Sequence, residues 1–323
     1  MSALDSQTAD FLARASELFK EISMSTSGTV NLARIYTSAL LEEFAGPQID
    51  QVSVAHLTLT EPASAVSARF YRNNQTNGLD EVPLIVFFHG GGWSVGDVAS
   101  YDPFMRSLCS FSGASFLSIN FRLAPEHIYP AAHDDCFAAL KWTFANTSTI
   151  SANQQKIAVM GDSAGAHLAI NAAWRLHNET SYRLNSQYLF YPFLDLRDGH
   201  ERYQSRMRFG NGEYLIGRES LRQSKEWYLG ADRACNDPIS SPILSQKLNL
   251  LPSTVLVTAG FDPLTDEVRL FHKQLVDANV PVTLHHFKDT IHGFLPFGAL
   301  QVAKKAQILI ANDIRQKMGE IKL

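Results

Sequence analysis

Apolar runs of strand length alternate with helical patterns through most of this 323-residue chain. The later runs, such as 83–88 and 157–160, are continuously apolar, which is typical of strands buried on both faces of a parallel sheet. Two earlier runs, 54–60 and 66–71, alternate apolar and polar residues, as an antiparallel edge would. We therefore predict an α/β fold with a mainly parallel, eight-stranded sheet covered by helices. The predicted strands are VAHLTLT, VSARFY, PLIVFF, ASFLSINF, KIAVM, QYLFYPFL, STVLVTA and VTLHHF.

Two parts of the chain lack the strand pattern and are expected to lie outside the sheet. Residues 1–48 have helical periodicity, and their polar face is not rich in Lys or Arg, which favours a lid over a membrane-surface anchor. Residues 198–245 are polar and broken by glycine, with helix signals but no strand. We predict that these two segments form a helical cap over a catalytic domain made of residues 49–197 and 246–323.

The composition argues against several classes of partner and location. The formal net charge is -4 and no basic run occurs, so nothing favours a nucleic-acid partner. No stretch approaches the ~18 apolar residues of a membrane span, and no span is expected. The chain has three cysteines without metal-ligand spacing and no signal-peptide pattern, which favours reduced thiols in a cytoplasmic protein. We expect neither a metal nor a cofactor.

The stretch GDSAG, residues 161–165, stands between the predicted strand KIAVM and a helical pattern. A strand that turns sharply into a helix leaves no room for large side chains two positions before or after its apex. Gly161 and Gly165 supply that room around Ser163. This arrangement matches the G-x-S-x-G nucleophile elbow, which exposes a serine hydroxyl above the sheet. We predict Ser163 as a catalytic nucleophile.

A serine nucleophile needs a general base and an acid that orients the base. With this elbow the acid and the histidine follow in that order, each in a loop after a strand. Asp262 comes directly after VLVTA and one glycine-phenylalanine pair, and His292 follows VTLHHF. We predict Asp262 and His292 as the partners of Ser163. The alternatives are Asp266 and Glu267, expected in the next helix, His285 and His286, expected in a strand, and His127, His133 and His167, which lack an equivalent loop position.

The stretch HGGGW, residues 89–93, directly follows the predicted strand PLIVFF. Consecutive glycines allow backbone N–H groups to turn toward one point where a Cβ could not be tolerated. The alternative is a plain glycine turn after a strand. We predict an oxyanion hole formed by the N–H groups of Gly91, Gly92 and Ala164, the residue after the nucleophile.

Taken together, HGGGW, FRLAPEHIYPAAHDD, GDSAG, GFDPLTDE and IHGF resemble the hormone-sensitive-lipase group of α/β-hydrolase esterases, and its bacterial acetyl esterases in particular. The resemblance covers about Val54–Leu323. One departure is Phe121, which stands where the group has tyrosine. Arg122 and Glu126 are kept, and the resemblance implies an ionic network beside the oxyanion loop. A purely structural salt bridge is an equally good interpretation of that pair.

The resemblance implies an α/β-hydrolase fold, a cap built from the two helical segments, no cofactor, and hydrolysis of short-chain acyl esters from acetyl to about hexanoyl. Apolar linings are usual in small-molecule sites, so Trp93, Phe294 and Phe297 are candidates for the acyl pocket. An amidase or deacetylase with the same triad is the main alternative, and a non-catalytic small-molecule binder is a weaker one. The resemblance also implies that homodimers formed through the last strand are common in this group.

Overall fold

The computed structural model describes residues 3–24, 29–61, 64–79, 82–230 and 235–319. The strands are β1 (Val52–Glu61), β2 (Ser64–Asn73), β3 (Val82–Phe88), β4 (Ser115–Asn120), β5 (Ala152–Asp162), β6 (Ser186–Phe190), β7 (Asn211–Tyr214), β8 (Ile216–Gly217), β9 (Ser253–Phe261) and β10 (Val282–Ile291). The helices are α1 (Ser6–Ser23), α2 (Thr29–Glu43), α3 (Asp102–Ser112), α4 (Ala131–Ala145), α5 (Ala164–Glu179), α6 (Gln204–Phe209), α7 (Arg218–Leu229), α8 (Thr265–Asp277) and α9 (Gln301–Met318).

Eight strands form the central sheet in the order β1-β2-β4-β3-β5-β6-β9-β10. The pairs β1–β2 and β2–β4 are antiparallel, and the other neighbours in this sheet are parallel. The predicted eight-stranded, mainly parallel sheet with an antiparallel edge is therefore confirmed. Because parallel strands place their carboxyl ends at one edge, the loops after β3, β5, β9 and β10 lie on the same side of the sheet.

Helices cover both faces of the sheet, and β3 shows why its sequence is continuously apolar. All seven of its residues are buried. Leu84, Val86 and Phe88 belong to a core cluster shared with α4, α5 and α8. Ile85 and Phe87, which point the other way, belong to a second cluster shared with α1, α2, α3 and α9. A central strand with two buried faces needs apolar side chains at every position.

The segment 198–245 contains α6 and α7, as its helix signals predict, but the prediction that it holds no strand is wrong. The structure shows the small antiparallel pair β7–β8, joined at Leu215. Leu215 has φ +76°, and Gly212 has φ +99°. Strands of four and two residues are too short to give an alternating pattern, so periodicity could not reveal them.

The three cysteines, Cys109, Cys136 and Cys235, are all buried, and Cys109 and Cys136 are free thiols. This agrees with the predicted reduced state. Within the described ranges, no helix combines the length and apolar character that crossing a membrane requires.

Candidate active site

Ser163 lies at the turn between β5 and α5 with φ +53°, a conformation that side-chain-bearing residues seldom adopt. The two flanking glycines are required by close packing. A Cβ on Gly161 would stand 2.4 Å from the carbonyl carbon of Gly165, and one on Gly165 would stand 2.0 Å from the carbonyl oxygen of Phe88. The backbone N–H of Ser163 donates to the carbonyl of Phe190 at 2.8 Å, which ties the turn to β6.

The loops after β5, β9 and β10 bring the three predicted residues together. The Nε2 atom of His292 lies 2.9 Å from the Oγ of Ser163, and its Nδ1 lies 3.0 Å from an Oδ of Asp262. Asp262 is fully buried, and its other oxygen accepts the N–H of Leu264 at 2.7 Å. This second bond fixes the carboxylate, so the imidazole ring is held with Nε2 directed at the serine hydroxyl.

The other carboxylates near β9 face different partners. Asp266 and Glu267 both lie in α8, as expected. Asp266 accepts the N–H of Ser205 at 2.8 Å. Glu267 is buried, pairs with Arg206 and accepts the N–H of Leu194 at 2.8 Å, and burial raises its pKa to about 7. Both carboxylates therefore join α8 to earlier parts of the chain, Asp266 through Ser205 and Glu267 through Arg206 and Leu194.

Four of the five alternative histidines have partners away from Ser163. His285 lies 2.7 Å from a carboxylate oxygen of Asp313, and His286 lies 3.2 Å from the guanidinium of Arg269. His133 bonds to the hydroxyl of Tyr228, and His167 faces the carbonyl of Ser240. Of the described histidines, His292 is the one within hydrogen-bond distance of Ser163.

The loop after β3 has the backbone that its glycines predict. Gly91 has φ +112° and Gly92 has φ +55°. A Cβ on Gly91 would stand 2.1 Å from the carbonyl oxygen of Val95, so only glycine fits there. Among the described residues, no acceptor bonds to the N–H of Gly91, Gly92 or Ala164. These three donors are the groups that an oxyanion would need.

Asp162 is a buried residue whose role was not predicted from the sequence. One of its oxygens accepts the N–H of Gly90 at 2.6 Å, and the other accepts the hydroxyl of Tyr101 at 3.1 Å. Burial raises the pKa of Asp162 to about 7. The carboxylate links the nucleophile turn to the glycine loop. The one sequence feature that points to this role is the position of Asp162 inside GDSAG, directly before Ser163.

Arg34 of α2 is a second residue that the sequence did not single out. Its Nε donates to the carbonyl of Ser94 at 2.9 Å, one Nη donates to the carbonyl of Ala124 at 3.1 Å, and the guanidinium pairs with Glu126 at 2.6 Å. The ionic group beside the glycine loop is therefore Arg34 with Glu126.

Arg122 and Glu126 pair with other residues and not with each other. Arg122 makes a two-pronged pair with Asp135, with contacts of 2.8 and 2.9 Å, and its backbone N–H donates to the same carboxylate. This pair holds the loop after β4 against α4. The contacts of Arg122 therefore fit the interpretation as a purely structural salt bridge. Glu126 belongs to the ionic group beside the glycine loop, because it pairs with Arg34.

A mostly apolar cavity of about 300 Å³ opens above Ser163. Both helical segments contribute to its wall, since Leu40 and Leu41 come from α2 and Ser224 and Trp227 come from α7. The serine, His292 and the glycine pair form its floor. The cavity volume lies at the lower end of the ~300–1,000 Å³ that small-molecule sites occupy.

Only one of the three aromatic residues expected in the acyl pocket lines this cavity. Phe297 does so. Trp93, at φ +59°, stacks on Tyr228 with ring centroids 4.2 Å apart, which takes its ring into the core. Phe294 is fully buried and packs against Phe287 at 5.3 Å. The expectation that Trp93 and Phe294 line the pocket is corrected, because core packing uses both rings.

Among the described residues, no three His, Cys, Asp or Glu side chains come together in a way that could hold a metal ion.

The comparison with known proteins agrees with this geometry. A family profile described as "alpha/beta hydrolase fold" matches residues 85–296, so the chain belongs to the α/β-hydrolase family. It is 33% identical over 293 residues to the carboxylic ester hydrolase LipN of Mycobacterium tuberculosis, covering 89% of this chain and 76% of that protein. It is 29% identical over 241 residues to the acetyl esterase of Salmonella dublin, covering 74% and 72%.

A solved structure gives the same result for the whole fold. The esterase of Pyrobaculum calidifontis superimposes with a TM-score of 0.82 at 30% identity, covering 93% of this chain and 97% of that one. The resemblance to the hormone-sensitive-lipase group is thereby confirmed. So is the prediction that the chain is an enzyme of the carboxylic ester hydrolase class.

Proposed function

We propose that this protein hydrolyses short-chain acyl esters, from acetyl to about hexanoyl, through an acyl-enzyme on Ser163. The observation that carries the proposal is the contact of His292 Nε2 with Ser163 Oγ at 2.9 Å on the floor of an apolar cavity. A hydroxyl that can pass its proton to an imidazole is a competent nucleophile.

In the first half of the reaction, Ser163 Oγ attacks the ester carbonyl carbon while its proton passes to His292 Nε2. Asp262 stabilises the resulting imidazolium through Nδ1. The tetrahedral oxyanion accepts hydrogen bonds from the N–H groups of Gly91, Gly92 and Ala164, and each such donor contributes roughly 10²–10³ in rate. When the ester C–O bond breaks, the proton on Nε2 goes to the leaving alcohol.

The second half returns the enzyme to its starting state. His292 takes a proton from a water molecule, whose oxygen attacks the acyl carbon of the ester formed with Ser163. The same N–H groups stabilise the second oxyanion. Its collapse breaks the bond to Oγ, Nε2 returns its proton to Ser163, and the carboxylic acid leaves. The reaction needs no group beyond this chain and water.

The preference for short acyl chains rests on the size and lining of the cavity. Its volume of about 300 Å³ leaves little room for a long chain, and α2, α7 and Phe297 line it. The cap that we propose, residues 1–48 and 198–245, supplies the part of the lining that comes from α2 and α7. The position of α2 and α7 over Ser163 supports that division of the chain, with residues 49–197 and 246–323 as the catalytic domain.

A series of p-nitrophenyl esters from acetate to decanoate tests the proposal. We expect kcat/KM to be highest between acetate and hexanoate and to fall steeply beyond about octanoate. Ser163→Ala is expected to lower kcat by at least about 10⁴-fold, whereas Ser53→Ala, at an exposed serine of β1, keeps wild-type activity. Efficient turnover of emulsified long-chain triglyceride, or activity retained by Ser163→Ala, contradicts the proposal.

The same triad can act on amides, so matched esters and amides are compared in the same assay. We expect kcat/KM to favour the ester. A preference for the amide would instead establish the amidase alternative while leaving the roles of Ser163, His292 and Asp262 unchanged.

A further inference from the structure

Three polar side chains of α7 line the cavity above Ser163: Ser220, whose hydroxyl is bonded to Gly217, and Gln223 and Ser224. We call Gln223 and Ser224 the polar wall. The side of the cavity formed by α2 presents Leu40 and Leu41 together with Thr37 and with Tyr36, whose hydroxyl donates to the carbonyl of Ala15. An ester with only apolar groups would therefore place one of its surfaces against side chains that need hydrogen-bond partners.

Ser224 lies against Gly92, one of the residues of the predicted oxyanion hole. Its Oγ lies 2.4 Å from the point that a Cβ on Gly92 would occupy, and its own Cβ lies 2.8 Å from that point. The hydroxyl is therefore in van der Waals contact with the Gly92 backbone. A substrate whose carbonyl oxygen reaches the N–H of Gly92 brings its neighbouring atoms within reach of Ser224.

The polar groups of the polar wall are not used inside the protein. Among the described residues, none forms a hydrogen bond with the side chain of Gln223 or Ser224, and both residues are half-buried. Ser220, one turn earlier on α7, provides the contrast. Its Oγ accepts the N–H of Gly217 at 2.9 Å and donates to the carbonyl of the same residue at 2.9 Å.

Unused polar groups in a small cavity discriminate between ligands. Water satisfies them in the free enzyme, and a purely apolar ligand that displaces this water leaves them unpaired. A ligand with its own hydroxyl replaces the lost hydrogen bonds. A site built to bind a substrate hydroxyl therefore selects against the analogue that lacks it.

We propose that the preferred substrates are short esters that carry a hydroxyl group close to the scissile carbonyl, held by Gln223 and Ser224. This inference rests on the proposed ester hydrolysis and specifies its substrate class. The hydroxyl can belong to the alcohol, as in the monoester of a glycol, or to the acyl group, as in a hydroxy acid ester. Both sources present the same hydrogen-bonding chemistry.

Two pairs of esters, each exchanging a hydroxyl for a methyl group of similar size, distinguish the sources. Hydroxyethyl butyrate is compared with propyl butyrate, and ethyl β-hydroxybutyrate is compared with ethyl isovalerate. We expect wild-type kcat/KM to favour the hydroxylated member by about 3- to 10-fold, the worth of one neutral hydrogen bond, in at least one pair. The pair that shows the preference identifies the alcohol or the acyl side.

The preference is expressed as the ratio of kcat/KM for the hydroxylated ester to kcat/KM for its methyl analogue. The variants Ser224→Ala and Gln223→Leu are expected to move this ratio toward one. Dividing each variant's ratio by the wild-type ratio cancels the intrinsic reactivity of the two esters. Ser220→Ala is the matched control, because it removes a hydroxyl from the same helix whose bonds are already made to Gly217. Its ratio is expected to equal that of wild type. A thermal melt of each variant verifies that it is folded.

Two results would overturn the inference: a wild-type enzyme with no preference in either pair, or a preference that both variants keep in full. Neither result affects the proposed function, because that is judged on the plain esters. If the wild type did not hydrolyse propyl butyrate, or if Ser163→Ala still hydrolysed it, the result would instead contradict the proposed catalytic triad.

Discussion

The carboxylate of Asp162 accepts a hydrogen bond from the backbone N–H of Gly90 at 2.6 Å, so the residue before Ser163 is bonded to the loop that contains Gly91 and Gly92. A Cβ on Gly90 would stand 2.4 Å from the same carboxylate. The nucleophile and the proposed oxyanion donors come from different loops, and this contact sets the distance between them. Preorganised donors are effective because they need no rearrangement during the reaction.

The ionisation of Asp162 gives a prediction about stability and pH. Burial raises its pKa from 3.8 to about 7, so between these pH values the carboxyl is protonated in the folded state and ionised in the unfolded state. The unfolded state then binds fewer protons, and the contribution of this group to the free energy of unfolding decreases as pH rises. Above about pH 7 both states are ionised and the contribution is constant.

Asp162→Asn removes this dependence. We expect the free energy of unfolding of wild type minus that of the variant to decrease from about pH 4 to about pH 7 and then to level off. Urea unfolding at a series of pH values measures the difference. Other titrating groups, such as Glu267, contribute equally to the free energies of both proteins, so their contributions cancel. A difference that is the same at every pH would show that the folded-state pKa of Asp162 is not raised.

Asp262→Asn tests the acid of the proposed triad. The side chain keeps an acceptor for the N–H of Leu264, so folding should change little, but the imidazole loses the anion that holds its tautomer. We expect kcat on p-nitrophenyl butyrate to fall by about 10⁴-fold. Asp266→Asn, four residues later, is the control and should remain near wild type. Equal losses in the two variants would contradict the assignment of Asp262.

The sequence predicted what depends on local spacing and strand order. The elbow around Ser163 follows from two glycines between a strand and a helix, and the loops that hold Asp262 and His292 follow from the alternation of strands and helices. The structure brings these loops to one edge of the sheet because the strands that precede them are parallel.

What the sequence did not reveal depends on where side chains point after packing. Trp93 turns toward Tyr228 of α7, and Arg34 of α2 reaches Ser94, both through contacts between distant segments. Contacts of this kind produce no periodic pattern of apolar residues in the sequence. The strands of the short pair β7–β8 are too brief to form a pattern, and closeness in sequence to a motif does not determine whether an aromatic side chain enters the pocket.

Gly92→Ala tests whether the glycine loop must keep its backbone. The added Cβ would stand 2.4 Å from Ser224 Oγ, at a residue whose φ is +55°. We expect kcat/KM to fall by about 100-fold, comparable to the loss of an oxyanion donor. Gly78→Ala is the control for backbone strain alone, since Gly78 has φ +81° with nothing within 4 Å of an added Cβ. A similar loss of activity in both variants would argue against a role for Gly92 at the reacting atoms.

Arg34→Met tests whether α2 positions the glycine loop. The guanidinium holds the carbonyls of Ser94 and Ala124 and pairs with Glu126, so its removal frees the loop that carries the proposed oxyanion donors. Because these donors act on charge that develops in the transition state, we expect kcat to fall by about 10- to 100-fold with KM little changed.

Arg14→Met provides the comparison, because Arg14 joins α1 to Glu43 of α2 at the surface and does not touch the glycine loop. Exposed ion pairs of this kind contribute little because water screens them, so the activity of this variant should remain within about twofold of wild type. If Arg34→Met raised KM and left kcat intact, α2 would shape the cavity without positioning the loop. If the two variants behaved alike, the contact between Arg34 and Ser94 would have no part in catalysis.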